Sequence, residues 1–145
     1  MITGGTGFIG SPTAVEFLER GEDLVIADNF VNSKPVVLDR IRQITGKTPA
    51  FVEVELTDAD ATERLFAEHP DIESCIHFAG LKAVGECVSQ PLRYYRNNLL
   101  STLNLCDSMS RHGVRKLVFS SSATVYGAPE RVPIRETDRL GETTN

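Results

Sequence analysis

Thr3–Ser11 reads TGGTGFIGS. Gly5, Gly7 and Gly10 fall in GxGxxG spacing, and Gly4, Gly7 and Gly10 fall in GxxGxxG spacing. Glycine suits such a loop for three reasons: the tight turn, the close approach of backbone to a pyrophosphate, and close packing of helix on strand. Amides at the start of the following helix then meet the phosphates, with the helix dipole behind them. A glycine-rich turn is weak evidence alone, so its flanks decide the reading. Met1, Ile2 and Thr3 form a strand stub ahead of it. An amphipathic helix follows from Phe8 to Arg20, with Ala14, Val15, Phe17 and Leu18 toward one side and Gly21 as its stop. Pro12 falls early enough in that helix for its missing amide to cost little. The next strand ends at Asp28, 18 residues past Gly10, near the offset of about 20 at which a carboxylate meets an adenosine ribose. An acid there repels a 2′-phosphate and favours NAD over NADP. Asp28 capping a turn is the alternative.

Further along, short apolar runs alternate with helix-period segments. Leu24–Ala27, the stretch around Phe51, Val52 and Val54, the run of Cys75, Ile76 and Phe78, and Leu117–Phe119 read as buried parallel strands. Between them, Pro35–Ile44 sets Val37, Leu38, Ile41 and Ile44 on one face, with Gly46 beyond. Asp58–Glu68 opens on Asp58 as N-cap and is followed by Pro70. Pro91 starts a long segment reaching His112, with Leu99, Leu103 and Met109 among its apolar positions and Gly113 after it. Alternating strand and helix implies an α/β fold: a doubly wound, Rossmann-type parallel sheet with helices on both faces and right-handed crossovers. A first strand of about three residues, where about five or six are usual, makes the sheet look truncated at its front. After Gly127 the sequence is polar, proline-punctuated and loop-like.

Composition narrows the function. The 145 residues carry a net charge of −5, which argues against a polyanionic partner such as nucleic acid or an anionic membrane surface. No apolar run approaches the roughly 20 residues of a membrane span, and no charged-then-apolar leader opens the chain. Cys75, Cys87 and Cys106, an odd set without CxxC spacing, read as reduced thiols in a cytoplasmic protein. His69, His77 and His112 have no metal-ligand spacing, and no metal site is expected.

Taken together these segments resemble the extended short-chain dehydrogenase/reductase family, and within it the enzymes that epimerise UDP-sugars at C4. The resemblance runs from Thr3 to the last residue. TGGTGFIGS matches the family's glycine loop and DNFVNSK (28–34) its cofactor segment. HFAGLKAVGECV (77–88) is the string most specific to the 4-epimerases. YYRNN (94–98) and FSSSATVYG (119–127) follow in the expected order. The resemblance implies NAD as cofactor. Its contacts would be Gly4, Gly7, Phe8, Ile9 and Gly10 in the loop, and Asp28, Asn29, Asn32 and Ser33 on the adenosine side. Glu55 and Leu56 follow at the third strand, then Phe78, Ala79, Gly80 and Lys82, with Lys82 near the nicotinamide half, and finally Asn97 and Ser120. Lys82, Ser122 and Thr124 would meet a UDP-sugar, with Ser122 hydrogen-bonding the reacting sugar oxygen as the catalytic residue of this stretch. Tyr126 touches substrate or packs; Tyr94 and Tyr95 pack. Two positions depart from the pattern. Val54-Glu55 stands where the family usually has Gly-Asp, which puts the adenine contact in question, and Pro12 stands where histidine is common.

In this family the serine segment leads to Asn-Pro-Tyr-x-x-x-Lys, which supplies the acid/base tyrosine. ETTN (142–145) resembles the approach to it. Tyr94, Tyr95 and Tyr126 are followed four residues later by Asn98, Leu99 and Glu130, so no such pair is present. The expectation is therefore a partial NAD-binding domain over residues 1–145, truncated at both ends and without its C-terminal substrate domain. The implied parent interconverts UDP-glucose and UDP-galactose by transient oxidation at C4, and these residues alone would be inactive. The parent is expected to be a homodimer, with the segment from Pro91 to His112 in its interface. A 4-epimerase of another UDP-sugar and a non-catalytic dinucleotide-binding remnant stand as alternatives. A dehydratase does not, because Ala123-Thr124 follows Ser122 where that class carries Asp-Glu.

Overall fold

The computed structural model describes residues 1–142; Thr143, Thr144 and Asn145, which make up most of the ETTN run, lie outside the described residues. The elements in chain order are β1 (Ile2–Thr3), α1 (Gly10–Glu19), β2 (Val25–Asp28), α2 (Val36–Thr45), β3 (Ala50–Glu53) and α3 (Ala59–Glu68), then β4 (Ser74–His77), α4 (Val84–Ser89), α5 (Pro91–Arg111) and β5 (Lys116–Phe119), with a 3₁₀ turn at Ala123–Tyr126. The strands form one parallel sheet in the order β3-β2-β1-β4-β5. This is the doubly wound arrangement expected from the strand–helix alternation, and its direction reverses between β1 and β4.

Side chains alternate across each strand with period two, and the sheet divides its core accordingly. Leu24 and Ile26 pack with Ile2, Ala14, Leu18 and Ile41 under α1 and α2. Val25 and Ala27 pack with Leu65, Phe66, Cys75, Leu105 and Met109 under α3 and α5. The central strand is the shortest: Ile2 and Thr3 pair with Ile26 and Ala27 on one side and with Ile76 and His77 on the other.

Helix boundaries follow local chemistry. Asp58 accepts the Ala61 amide at 3.0 Å and caps α3 as its position implied. Gly46 closes α2 at φ 68°. Pro91 occupies the first turn of α5, and Gly113 follows that helix at φ 73°. Pro35 precedes α2 as its N-cap rather than lying within it. Helix α1 begins at Gly10 rather than Phe8, leaving Phe8 and Ile9 exposed in the loop.

Three expectations are corrected. β5 is not a buried strand: among the described residues it lies at the sheet edge, paired with β4 alone, and Leu117, Val118 and Phe119 are all exposed. Phe17 and Ile44 face outward, because one turn of each helix presents fewer positions to the sheet than the apolar count suggested. Leu99 and Leu103 of α5 are exposed, while Leu105 and Met109 are its core contacts. Together with Leu92 and Tyr95 the two exposed leucines form an apolar stripe at spacings of three and four residues.

Thr3 and His77, direct partners across β1 and β4, are both buried, and their Oγ1 and Nδ1 atoms lie 2.6 Å apart. Burial pushes the His77 imidazole down from 6.5 to about 4. The unfolded chain therefore takes up a proton at His77 at a pH where the folded chain does not. Stability is fully present above pH 6.5 and is lost as pH falls through about 4, by roughly 3 kcal/mol. Urea unfolding across that window is expected to show the loss in the wild-type chain and a flatter profile in His77→Gln, which has nothing to titrate there.

Candidate functional site

A cleft opens at the C-terminal ends of β1, β2, β3 and β4, beside the point where strand order reverses. Its floor is the glycine loop. Gly4, at φ 66°, lies so close to β4 that a Cβ on it would sit 2.7 Å from the Ala79 amide nitrogen. A Cβ on Gly10 would sit 2.1 Å from the Gly4 carbonyl oxygen. These two positions let the first turn of α1 fold tightly against the loop. Ile9, the N-cap of α1, makes no side-chain cap bond, and no acidic residue occupies the first turn. Ser11 donates its amide to the Gly7 carbonyl at 3.0 Å and Pro12 has none, so the Gly10 amide, with the helix dipole behind it, is what the first three residues of α1 leave for an anion.

Asp28 forms one wall. Its Oδ2 accepts the Thr6 amide at 3.1 Å, and its Oδ1 accepts the Phe30 amide at 2.9 Å and the Ser33 hydroxyl at 3.3 Å. Thr6 Oγ1 and Ser33 Oγ meet at 2.6 Å. The carboxylate is therefore fixed between the glycine loop and the turn after β2, and it does more than cap that turn. Asn29, Asn32 and Ser33 line the same side.

Glu55 and Leu56 line the neighbouring wall. Glu55 Oε1 accepts the amide and hydroxyl of Thr57, at 3.0 and 2.9 Å, and Oε2 accepts Asn29 Nδ2 at 2.8 Å. Desolvation raises this carboxyl, but the bonds from Thr57 and Asn29 outweigh it and hold the group below its ordinary value. Val54, the bulkier residue of the departing pair, is accommodated in the core under α3 and α5.

Phe78, Ala79, Gly80 and Asn97 line the far side, together with Leu81 and Ser101, which the sequence reading passed over. Asn98 was passed over too. Its Oδ1 accepts the Leu81 amide at 2.8 Å and its Nδ2 donates to the Leu81 carbonyl at 3.1 Å, so it holds the segment after β4 from both sides. Asn97 Nδ2 donates to the same Oδ1 at 3.0 Å. The available signal was the doubled asparagine of YYRNN, of which only the first was taken. Ala27, Val31 and Val54 also reach the cleft.

Other expected residues lie outside this lining. Phe8 and Ile9 turn their side chains to solvent, and Gly10 sits behind the loop. Lys82 is exposed just past the cleft. Ser120 bonds the end of β4 through its amide, at 3.2 Å from the His77 carbonyl. Ser122 caps the 3₁₀ turn, its Oγ meeting Thr124 Oγ1 at 2.8 Å and accepting the Thr124 amide at 3.3 Å. Ser122 and Thr124 are thus brought together with each other beyond the end of β5.

A glycine floor, a helix amide end and a fixed carboxylate fit a dinucleotide: pyrophosphate at α1, ribose hydroxyls at Asp28. The model of the NAD dependent epimerase/dehydratase family matches residues 1–145. The chain is 54% identical over 143 residues to the UDP-glucose 4-epimerase of Bacillus subtilis, covering 99% of this chain and 42% of that protein. It is also 54% identical over 145 residues to the UDP-glucose 4-epimerase of Neisseria gonorrhoeae, covering 100% and 43%. Among solved structures, the UDP-glucose 4-epimerase of Bifidobacterium longum in complex with NAD+ and UDP superposes with a TM-score of 0.94 at 51% identity, covering 99% of this chain and 43% of the other. The chain thus spans less than half the length of these relatives.

Gly10→Ala forces the loop and α1 apart. It is expected to destabilise the chain by roughly 1–3 kcal/mol, read as a lower urea midpoint. Gly21→Ala, a position with open space where only a positive φ of 88° is strained, is expected to cost about 1 kcal/mol or a little more.

Proposed function

This chain belongs to the NAD dependent epimerase/dehydratase family, and from that premise we propose that it is the cofactor-holding portion of a UDP-glucose 4-epimerase, which interconverts UDP-glucose and UDP-galactose in galactose metabolism. One observation carries the reading: the glycine loop, Asp28 and the Phe78–Leu81 segment face one cleft where the strand order reverses. The start of α1 at Gly10, beside Gly7, receives the pyrophosphate. Asp28, with Asn29, Asn32 and Ser33, holds the adenosine ribose and turns away a 2′-phosphate. Glu55 and Leu56 face the adenine. Phe78, Ala79, Gly80 and Asn97 hold the nicotinamide half, and Lys82 and Ser120 complete that end.

When bound, NAD supplies reversible hydride acceptance at the sugar C4. Ser122 orients the reacting 4-oxygen by a hydrogen bond, with Thr124 and Lys82 beside it. For that, the Ser122 hydroxyl exchanges its present contact with Thr124 for the sugar. These 145 residues contain no Tyr-x-x-x-Lys pair to take the hydroxyl proton, so they act as a dinucleotide-binding unit without turnover. The substrate domain and the acid/base pair belong to the remainder of such an enzyme. Net charge and three cysteines outside any disulfide agree with a cytoplasmic protein that binds neither nucleic acid nor membrane. The apolar stripe Leu92–Tyr95–Leu99–Leu103 on α5 supports a homodimeric parent joined through that helix.

Calorimetric titration with NAD+ tests the reading. The folded chain is expected to bind one equivalent and to prefer NAD+ over NADP+. Asp28→Asn is expected to weaken NAD+ by about tenfold or more through lost charged hydrogen bonds. A folded chain that ignores NAD+, or binds NADP+ equally well, contradicts it. In the dimeric enzyme, Leu99→Glu is expected to yield monomers by light scattering.

A further inference from the structure

We propose that His77 is a positioning residue: fixed as the neutral tautomer with its proton on Nε2, it ties the glycine loop to helix α5 and thereby sets the Phe78–Lys82 segment against the cofactor. The proposal rests on the NAD-binding reading above. A continuous hydrogen-bond chain carries it. Thr3 Oγ1 lies 2.6 Å from His77 Nδ1, and His77 Nε2 lies 3.1 Å from Thr102 Oγ1. Thr102 in turn donates its hydroxyl proton to the Asn98 carbonyl at 2.8 Å.

A hydroxyl has one proton to give. That of Thr102 is engaged at Asn98, so Thr102 Oγ1 accepts from His77, and Nε2 carries the hydrogen. Nδ1 is then the acceptor for Thr3. The Thr3 hydroxyl, which is fully buried, bonds only His77 among the described residues. The opposite tautomer strands the Thr3 proton in the core, where an unpaired polar group is costly. Burial, which holds the ring neutral, agrees with this arrangement. The Phe119 ring lies beside the imidazole, tilted by 36°, with ring centroids 5.8 Å apart.

Both ends of the chain lead to the cleft. Thr3 immediately precedes Gly4, whose backbone is pressed against Ala79. Thr102 lies one helical turn beyond Asn98, which holds Leu81 by both its amide and its carbonyl and accepts from Asn97. The apolar anchors of α5 in the core, Leu105 and Met109, belong to its C-terminal half. Nearer the cleft, Leu92, Tyr95 and Leu99 face outward. Tyr94 is the buried side chain of this N-terminal half, and its hydroxyl donates to Glu86 of α4 at 2.5 Å; it holds α5 to α4, while the tie to His77 holds α5 to the sheet, and the two together set the rotation that places Asn97 and Asn98.

The test uses the NAD+-loaded enzyme. Long-range ¹H–¹⁵N NMR is expected to find His77 as the Nε2–H tautomer at neutral pH. Thr102→Val and His77→Leu are expected to release NAD+ about tenfold faster. Thr102→Ser, which restores the hydroxyl, and His77→Gln, which restores an N–H donor, are expected to stay within about threefold of wild type. Loss of fold alone would not separate Thr102→Val from Thr102→Ser at temperatures where both are fully folded. An Nδ1–H tautomer, or equal NAD+ release by Thr102→Val and Thr102→Ser, overturns this proposal alone. Wild-type protein that holds no NAD+ overturns the cofactor reading and this proposal with it.

Discussion

The absence of a side chain at Gly10 is the constraint on which the cleft depends. Its α-carbon occupies a place where a methyl group would collide with the Gly4 carbonyl at 2.1 Å. Because nothing projects there, the first turn of α1 closes directly onto the loop that leaves β1. The same approach brings Gly4 against Ala79, so that the central strand, the first helix and the segment after β4 meet with only backbone between them. At this junction the site presents backbone rather than side chains, and a helix start favours an anion.

Around that junction the core is built in two layers. Leu24 and Ile26 serve one face of the sheet while Val25 and Ala27 serve the other, and β1 is paired on both sides. Polar ties then fix the surroundings. Asp28 joins the glycine loop to the turn after β2, Asn98 holds the segment after β4, and Glu63 gathers Ser108, Arg111 and His112 to join α3 to α5. The apolar layers set the fold, and the polar ties set the shape of the cleft.

Much of this was legible in the sequence, for physical reasons. The glycine loop could be read because few residue types satisfy a close backbone approach, and Asp28 because its offset follows from one helix and one strand. Asp58 and Gly46 could be read because caps have restrictive chemistry. Other features depend on tertiary context. Val118 and Phe119 have the composition of a buried strand, yet their side chains are exposed, whereas Phe51 and Val52 on the opposite edge strand are half-buried. Leu99 and Leu103 share the helical period with core residues, and only packing distinguishes the two faces of α5. Asn98 escaped because a polar residue on a helix gives no sign of the loop it holds. Helix α4 escaped because six residues carry too little periodicity. Ser122 reads equally as a substrate hydroxyl or as a cap, and in this structure its hydroxyl serves as the cap.

The central claim is that the cleft holds a dinucleotide across the reversal between β1 and β4. A crystal structure with NAD+ tests it most directly. The account predicts the pyrophosphate at the start of α1 above Gly7, the adenosine ribose hydroxyls on the Asp28 carboxylate, and the nicotinamide beside Phe78–Gly80 and Asn97. A cofactor bound away from the glycine loop, or oriented with its nicotinamide at Asp28, would contradict it.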